Sequence, residues 1–196
     1  MKRKSVIKRV TNETKIAISL NIDGVGKREV DTPIGFLNHM LELFAKHGLF
    51  DLTIKARGDM HIDEHHTAED IGIVLGEAFR KALGEKIGIK RYGFFILPMD
   101  EILVTSVVDF SGRYAFQFYC SFKRERVGDL STELVSHFWD AFAQNAKINL
   151  HIKVEGEGNE HHKIEGVFKS VARAIRMAAE IDPKAKKEIP STKGRL

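Results

Sequence analysis

With 196 residues, 43% of them hydrophobic, the chain has apolar material for one large domain or two small ones. A net charge of +4, with Lys and Arg spread along the chain, excludes an obvious nucleic-acid binder, and no run reaches the roughly 20 apolar residues of a membrane span or follows the basic start as a secretory signal would. The single Cys120 allows no internal disulfide, so the expectation is a soluble, cytoplasmic protein with neither nucleic acid nor membrane as partner.

From the N-terminus, Thr14 to Ile22 alternates, with Ile16, Ile18, Leu20 and Ile22 on one face, which predicts a half-buried strand. Asp23-Gly24 marks a turn. Asp31-Thr32-Pro33 reads as a helix start, a capping side chain followed by proline. Phe36, Leu37, Met40, Leu41 and Phe44 then recur at helical spacing until Gly48. Leu52, Ile54 and Ala56 predict a further strand. Ile71, Val74, Leu75, Ala78, Phe79 and Ala82 predict a second helix. The second half repeats the theme: strands near 101–110 and 113–120, a helix near 131–145, a strand near 147–154 and a helix near 163–180.

The halves also match residue by residue. Asn38-His39-Met40-Leu41-Glu42-Leu43-Phe44-Ala45 parallels Ser136-His137-Phe138-Trp139-Asp140-Ala141-Phe142-Ala143, and His65-His66-Thr67-Ala68-Glu69 parallels His161-His162-Lys163-Ile164-Glu165. The expectation is therefore an α+β fold of two ββαβα-type halves, 1–90 and 91–196, the latter including the C-terminal segment. Each sheet must be covered on one face, and the economical solution places all helices between two sheets. No Pro/Gly/Ser-rich linker separates the halves, so they should share an interface as one compact unit.

His-His-x-x-Glu occurs twice, each time at a predicted helix start. Residues four apart on a helix lie about 40° apart around its axis, so His65 and Glu69 share a face, as do His161 and Glu165. An imidazole and a carboxylate on one face make half of a divalent-metal site, while His66 and His162 point elsewhere. His39 and His137 are the only other histidines placed equivalently in the two halves. Together these eight residues can supply two metals with three His and one Glu each. Without thiolate the set suits Zn, Fe(II), Mn(II) or Ni(II), and four protein ligands on a six-coordinate ion leave room for substrate. The His-Glu-x-x-His pattern of zinc proteases is absent.

Longer stretches carry a resemblance. Asp31-Thr-Pro-Ile-Gly-Phe-Leu-Asn-His-Met40, Gly58-Asp-Met-His-Ile-Asp-Glu-His-His-Thr-Ala-Glu-Asp70, Asp109-Phe-Ser-Gly-Arg113 and Ser191-Thr-Lys-Gly194 are similar to imidazoleglycerol-phosphate dehydratases over nearly the whole chain. Leu43 departs from the glutamine common at that position in the family. The resemblance implies helices between two four-stranded sheets, two Mn2+ per chain and a 24-subunit homo-oligomer with active sites between subunits. It implies a lyase of histidine biosynthesis that dehydrates imidazoleglycerol phosphate to imidazole-acetol phosphate, through a metal-bound imidazolate and a diazafulvene. Arg9-Val10-Thr11-Asn12-Glu13-Thr14 matches the family's Arg-x-Thr-x-Glu-Thr and marks Glu13 as the general base, with Asp100 as a second catalytic candidate. Arg91, Arg113, Lys169, Ser191 and Lys193 match its phosphate contacts. Two other readings stand beside this one: a non-enzymatic metal store, which would not need the Asp109–Arg113 and Ser191–Lys193 segments, and a dinuclear phosphate-ester hydrolase, whose sites are usually richer in Asp.

Overall fold

The computed structural model describes residues 3–196. In chain order the first half runs β1 (Lys4–Val10), β2 (Thr14–Asn21), β3 (Arg28–Asp31), α1 (Gly35–Gly48), β4 (Asp51–Gly58) and α2 (His65–Leu83). The second half runs β5 (Tyr92–Met99), β6 (Ile102–Asp109), β7 (Ala115–Tyr119), the short hairpin β8 (Arg126–Val127) and β9 (Leu130–Ser131), α3 (Glu133–Ala146), β10 (Asn149–Glu155) and α4 (Glu160–Ala179). No helix among the described residues is long and apolar enough to cross a membrane.

Side-chain alternation decides the sheets. Ile16, Ile18 and Leu20 of β2 are buried, and they lie opposite Ala56, Ile54 and Leu52 of β4, also buried, so one face of the first sheet is continuously apolar. The sheet order is β1-β2-β4-β3, antiparallel except for the parallel β3–β4 pair. The second sheet, β5-β6-β10-β7, repeats this order and polarity, with β7–β10 parallel. Each half thus follows the same path, and the β8–β9 hairpin is an insertion peculiar to the second. Both halves carry more strands than periodicity picks out: β3 is four polar-rich residues, and β5 has aromatic residues on both faces, so neither shows a clean alternation.

The helices fill the space between the sheets, α2 against α3 and α1 against α4. The α2–α3 contact depends on glycine: a Cβ on Gly72 would stand 2.6 Å from the Phe138 carbonyl oxygen, and one on Gly76 would collide with that of Phe142. At the centre, Phe44, Phe50 and Phe79 of the first half meet Phe138, Trp139, Phe142 and Phe168 of the second, all buried. Ring centroids are 4.8 Å apart for Trp139–Phe168 and 5.6 Å for Phe79–Phe142, so the halves share one aromatic core.

The start of α1 differs from its sequence reading. Thr32 closes a local turn, its hydroxyl accepting from the Ile34 N–H at 3.2 Å and donating to Asn38 Oδ1 at 2.6 Å. The helix's own first donors, the N–H groups of Gly35 and Phe36, bond to the two oxygens of Asp129 at 2.5 and 2.8 Å. The cap is supplied from the β8–β9 hairpin, far away in sequence, where a local capping rule cannot find it.

Candidate active site

The matched helix pairs bring the predicted ligands together in two clusters. In the first, α1 contributes His39 and α4 contributes His161 and Glu165. Nε2 of His161 is 3.0 Å from Glu165 Oε2, and Nε2 of His39 is 3.6 Å from the same oxygen. One ligand atom from each of the three lies within 4.8 Å of the others. The Phe36 ring meets the His161 ring edge-on at 5.1 Å, and Asn159 caps α4 by accepting the His161 backbone N–H at 2.9 Å, so the ring is packed on one side and its backbone is anchored. Burial acts to raise the Glu165 carboxyl, but the Lys169 ammonium one turn on and the His161 ring outweigh it and hold the group below its ordinary range.

The second cluster repeats this from the other helix pair. His65 Nε2 is 3.8 Å from Glu69 Oε2 on α2, and the His65 ring lies 5.3 Å from that of His137 on α3. Six of the eight candidate ligands therefore form two groups of two imidazoles and one carboxylate. Imidazole with carboxylate suits a borderline divalent ion, and the ligand atoms of His39, His161 and Glu165 converge closely enough to hold one. His66 and His162 join neither group. Each ring is turned away from its neighbour in the pair, at interplanar angles of 72° and 82°, and faces outward carboxylates.

Those carboxylates include both catalytic candidates. Glu13, in the β1–β2 turn, places Oε2 4.0 Å from His66 Nδ1, and Asp100, in the β5–β6 turn, places Oδ2 3.6 Å from His162 Nδ1. The two turns are equivalent in the duplicated topology. The Glu13 turn is pinned to α2: Asp70, next to Glu69, accepts from the Arg9 guanidinium and from the buried Thr14 hydroxyl, the latter at 2.5 Å. Thr11 Oγ1 in turn accepts the N–H groups of Thr14 and Glu13 at 2.9 and 3.1 Å.

The candidate phosphate residues fall in two places. Arg91 grips both oxygens of Asp109, at 2.7 and 3.2 Å, and donates to the Pro190 carbonyl at 2.8 Å, which ties the C-terminal segment to the Asp109–Arg113 turn. Ser111 Oγ accepts the Arg113 N–H at 3.1 Å, Ser191 Oγ accepts the Lys193 N–H at 3.2 Å, and Gly112 lies against Leu196. Lys169 stands instead on α4, paired with Glu165. Leu43 packs half-buried against the core.

Several residues of the site escaped the sequence reading, among them Asp59, Glu64, Asp70 and Glu101. Glu64 had a signal: Glu-His-His stands at 64–66 and again at 160–162, and both glutamates are buried. Glu64 accepts the Ser131 N–H at 2.9 Å and pairs with Arg126, while Glu160 accepts the Lys123 N–H at 3.1 Å and pairs with Lys163. Both glutamates hold the 123–131 connection against the helices that carry the ligands.

Two sheets of identical topology around a layer of helices, with His/Glu clusters between the helix pairs, define a duplicated α+β protein with side chains compatible with a bound metal ion. The family model for imidazoleglycerol-phosphate dehydratase matches residues 32–175. The chain is 55% identical to the imidazoleglycerol-phosphate dehydratase of Rhodopirellula baltica, over 99% of this chain and 96% of that one, and 52% identical to that of Methylorubrum populi, over 99% and 100%. Among solved structures, the Staphylococcus aureus enzyme superimposes with a TM-score of 0.83 at 39% identity, covering 91% of this chain and 99% of that one. The Pyrococcus furiosus enzyme does so with 0.82 at 34% identity, covering 97% and 100%. The chain belongs to the imidazoleglycerol-phosphate dehydratase family.

Proposed function

We propose that this protein dehydrates imidazoleglycerol phosphate to imidazole-acetol phosphate, a step of histidine biosynthesis in the cytoplasm. The observation that carries the reading is the pair of His/Glu clusters, with Glu13 and Asp100 facing the outward-turned His66 and His162 from equivalent turns. His39, His161 and Glu165 would hold one Mn2+, and His65, His137 and Glu69 a second. When bound, these ions supply Lewis-acid polarisation of an imidazole nitrogen, favouring loss of the ring N–H.

The rest of the chemistry belongs to the chain. The hydroxyl leaves from the carbon beside the ring, and Glu13 takes the proton from the next carbon; water is lost and the resulting enol becomes the ketone. Asp100 lines the site from the matching turn. Arg91, Arg113, Lys169, Ser191 and Lys193 bind the phosphate, and the segment 189–196 closes over it and excludes water.

We further infer that the chain, one compact unit of halves 1–90 and 91–196, works as a homo-oligomer, of 24 subunits by the family's pattern, with sites between subunits. His66 and His162 are left over from the intrachain clusters and would complete those of neighbouring copies. The outer face of the second sheet supports self-association: Phe94, Ile96 and Val107 are about half exposed there, and Phe94 lies directly opposite Val107.

Incubation with imidazoleglycerol phosphate tests the reading. The proposal expects a ketone and no free phosphate, and Glu13→Gln slowing turnover at least about 100-fold, the low end for a general base. Free phosphate would indicate a hydrolase, and no product a metal store; either result refutes it.

A further inference from the structure

In both repeats the second histidine of the pair rests Nδ1 on a carboxylate. His66 Nδ1 is 3.1 Å from Asp59 Oδ2 and 3.3 Å from Oδ1, and His162 Nδ1 is 3.4 Å from both oxygens of Glu101. An ionised carboxylate only accepts, so Nδ1 carries the hydrogen, and a neutral ring then keeps its lone pair on Nε2.

The two carboxylates are not copies of one another. Asp59 directly follows β4, whereas Glu101 lies in the β5–β6 turn, so duplication did not hand the same contact to both halves. The same atom of the equivalent ring is met from two unrelated positions. Both carboxylates are also restrained: Asp59 has a side chain only 16% exposed, and Glu101 Oε1 accepts the Asn159 N–H at 2.8 Å at the cap of α4. By contrast Glu13 and Asp100, at 4.0 and 3.6 Å from the same ring atoms, are beyond hydrogen-bond distance and 55% and 72% exposed, which leaves them free for substrate.

We infer that Asp59 and Glu101 are positioning residues that fix the Nδ1–H tautomer and the ring plane of His66 and His162, so that Nε2 of each ring is the metal donor. This rests on the reading of His66 and His162 as ligands. A carboxylate behind a ligating imidazole sets its tautomer and raises its basicity, and its loss costs about 10- to 100-fold in metal affinity.

The test is Mn2+ titration of metal-stripped, full-length protein, with free Mn2+ followed by electron paramagnetic resonance. His66→Ala, Asp59→Ala and Asp59→Asn are compared with wild type, and Glu101→Gln serves as the counterpart in the other repeat. Asp59→Ala should weaken Mn2+ about 10- to 100-fold. Asp59→Asn keeps an acceptor oxygen and should lose less. In the metal-free protein labelled with 15N-histidine, wild type should show His66 with Nδ1 protonated, and Asp59→Ala a mixture of tautomers, a change that a merely structural role of Asp59 would not produce. Wild-type affinity and tautomer in Asp59→Ala, alongside weakened binding in His66→Ala, would overturn the inference alone. Wild-type affinity in His66→Ala would overturn it together with the ligand reading beneath it.

Discussion

Removing the Asp70 carboxylate should disable Glu13, the proposed base, without touching a proposed ligand or the substrate. Asp70 reaches Glu13 through a chain of three links: its carboxylate holds the Thr14 hydroxyl, the Thr14 N–H bonds to Thr11 Oγ1, and that oxygen also accepts the Glu13 N–H. Hydrogen bonds to a charged group contribute about 1.5–3 kcal/mol each. Thr14 is 2% exposed, so its bond keeps most of that value. The Arg9 side chain is 33% exposed, and its pairing is discounted accordingly. Asp70→Ala therefore costs about 2–4 kcal/mol of local stability, enough to release the turn. A displacement of about 1 Å at a catalytic group can cost about 100-fold, so kcat should fall roughly 10- to 100-fold with KM little changed. The decisive assay is a double-mutant cycle: in a Glu13→Gln background, Asp70→Ala should lower kcat by no more than about twofold, because the group it positions is already inert. Full multiplication of the two effects would refute the argument that Asp70 acts through Glu13.

Three further outcomes follow from contacts elsewhere in the fold. Asp129→Ala strips the cap of α1, and at about 0.5–2 kcal/mol for a lost cap the melting temperature should drop by roughly 1–8 °C, read by calorimetry, with Asp129→Asn losing less. Asp51 is held below the ordinary carboxylate range chiefly by the Val25 N–H, with Asn21 and the Lys27 N–H adding to it against a burial penalty. Its folded-state pKa is depressed, so its contribution is present above the unfolded value near 3.9 and is lost as pH falls through and below it; Asp51→Asn should shrink the difference in urea midpoint between about pH 6 and pH 3. Burial pushes the Cys120 thiol up to about 11, so alkylation near pH 7 should be slow in the native protein and become fast only on unfolding.

What could be read in the sequence follows from the range of each physical signal. Helical spacing is local and regular, so the faces of α1 to α4 and the pairings His65–Glu69 and His161–Glu165 were legible. The duplication added His39 and His137, and the structure sets each beside the His/Glu pair of the other half. Glu13 and Asp100 came from a resemblance, and only the topology places them in equivalent turns. The carboxylates that hold the site together were not legible. Asp59 and Glu101 lie in loops with no periodicity, and Asp129 acts across the two halves. The Asp31-Thr32-Pro33 signal was sound as local chemistry, yet Thr32 spends its hydroxyl on Ile34 and Asn38 and leaves the helix donors to Asp129. Strand β3 was hidden because four residues pairing in parallel with β4 show no alternation of their own.

The central claim is that two clusters, one from each crossed pair of helices, each hold a catalytic ion. Metal analysis after exhaustive dialysis, paired with dehydratase activity on the same sample, tests it most directly. Two Mn2+ per chain are expected in the active wild-type enzyme, with Glu69→Ala and Glu165→Ala each losing one ion and most activity. Full activity with one ion or fewer per chain, or both ions retained in either glutamate variant, would contradict it.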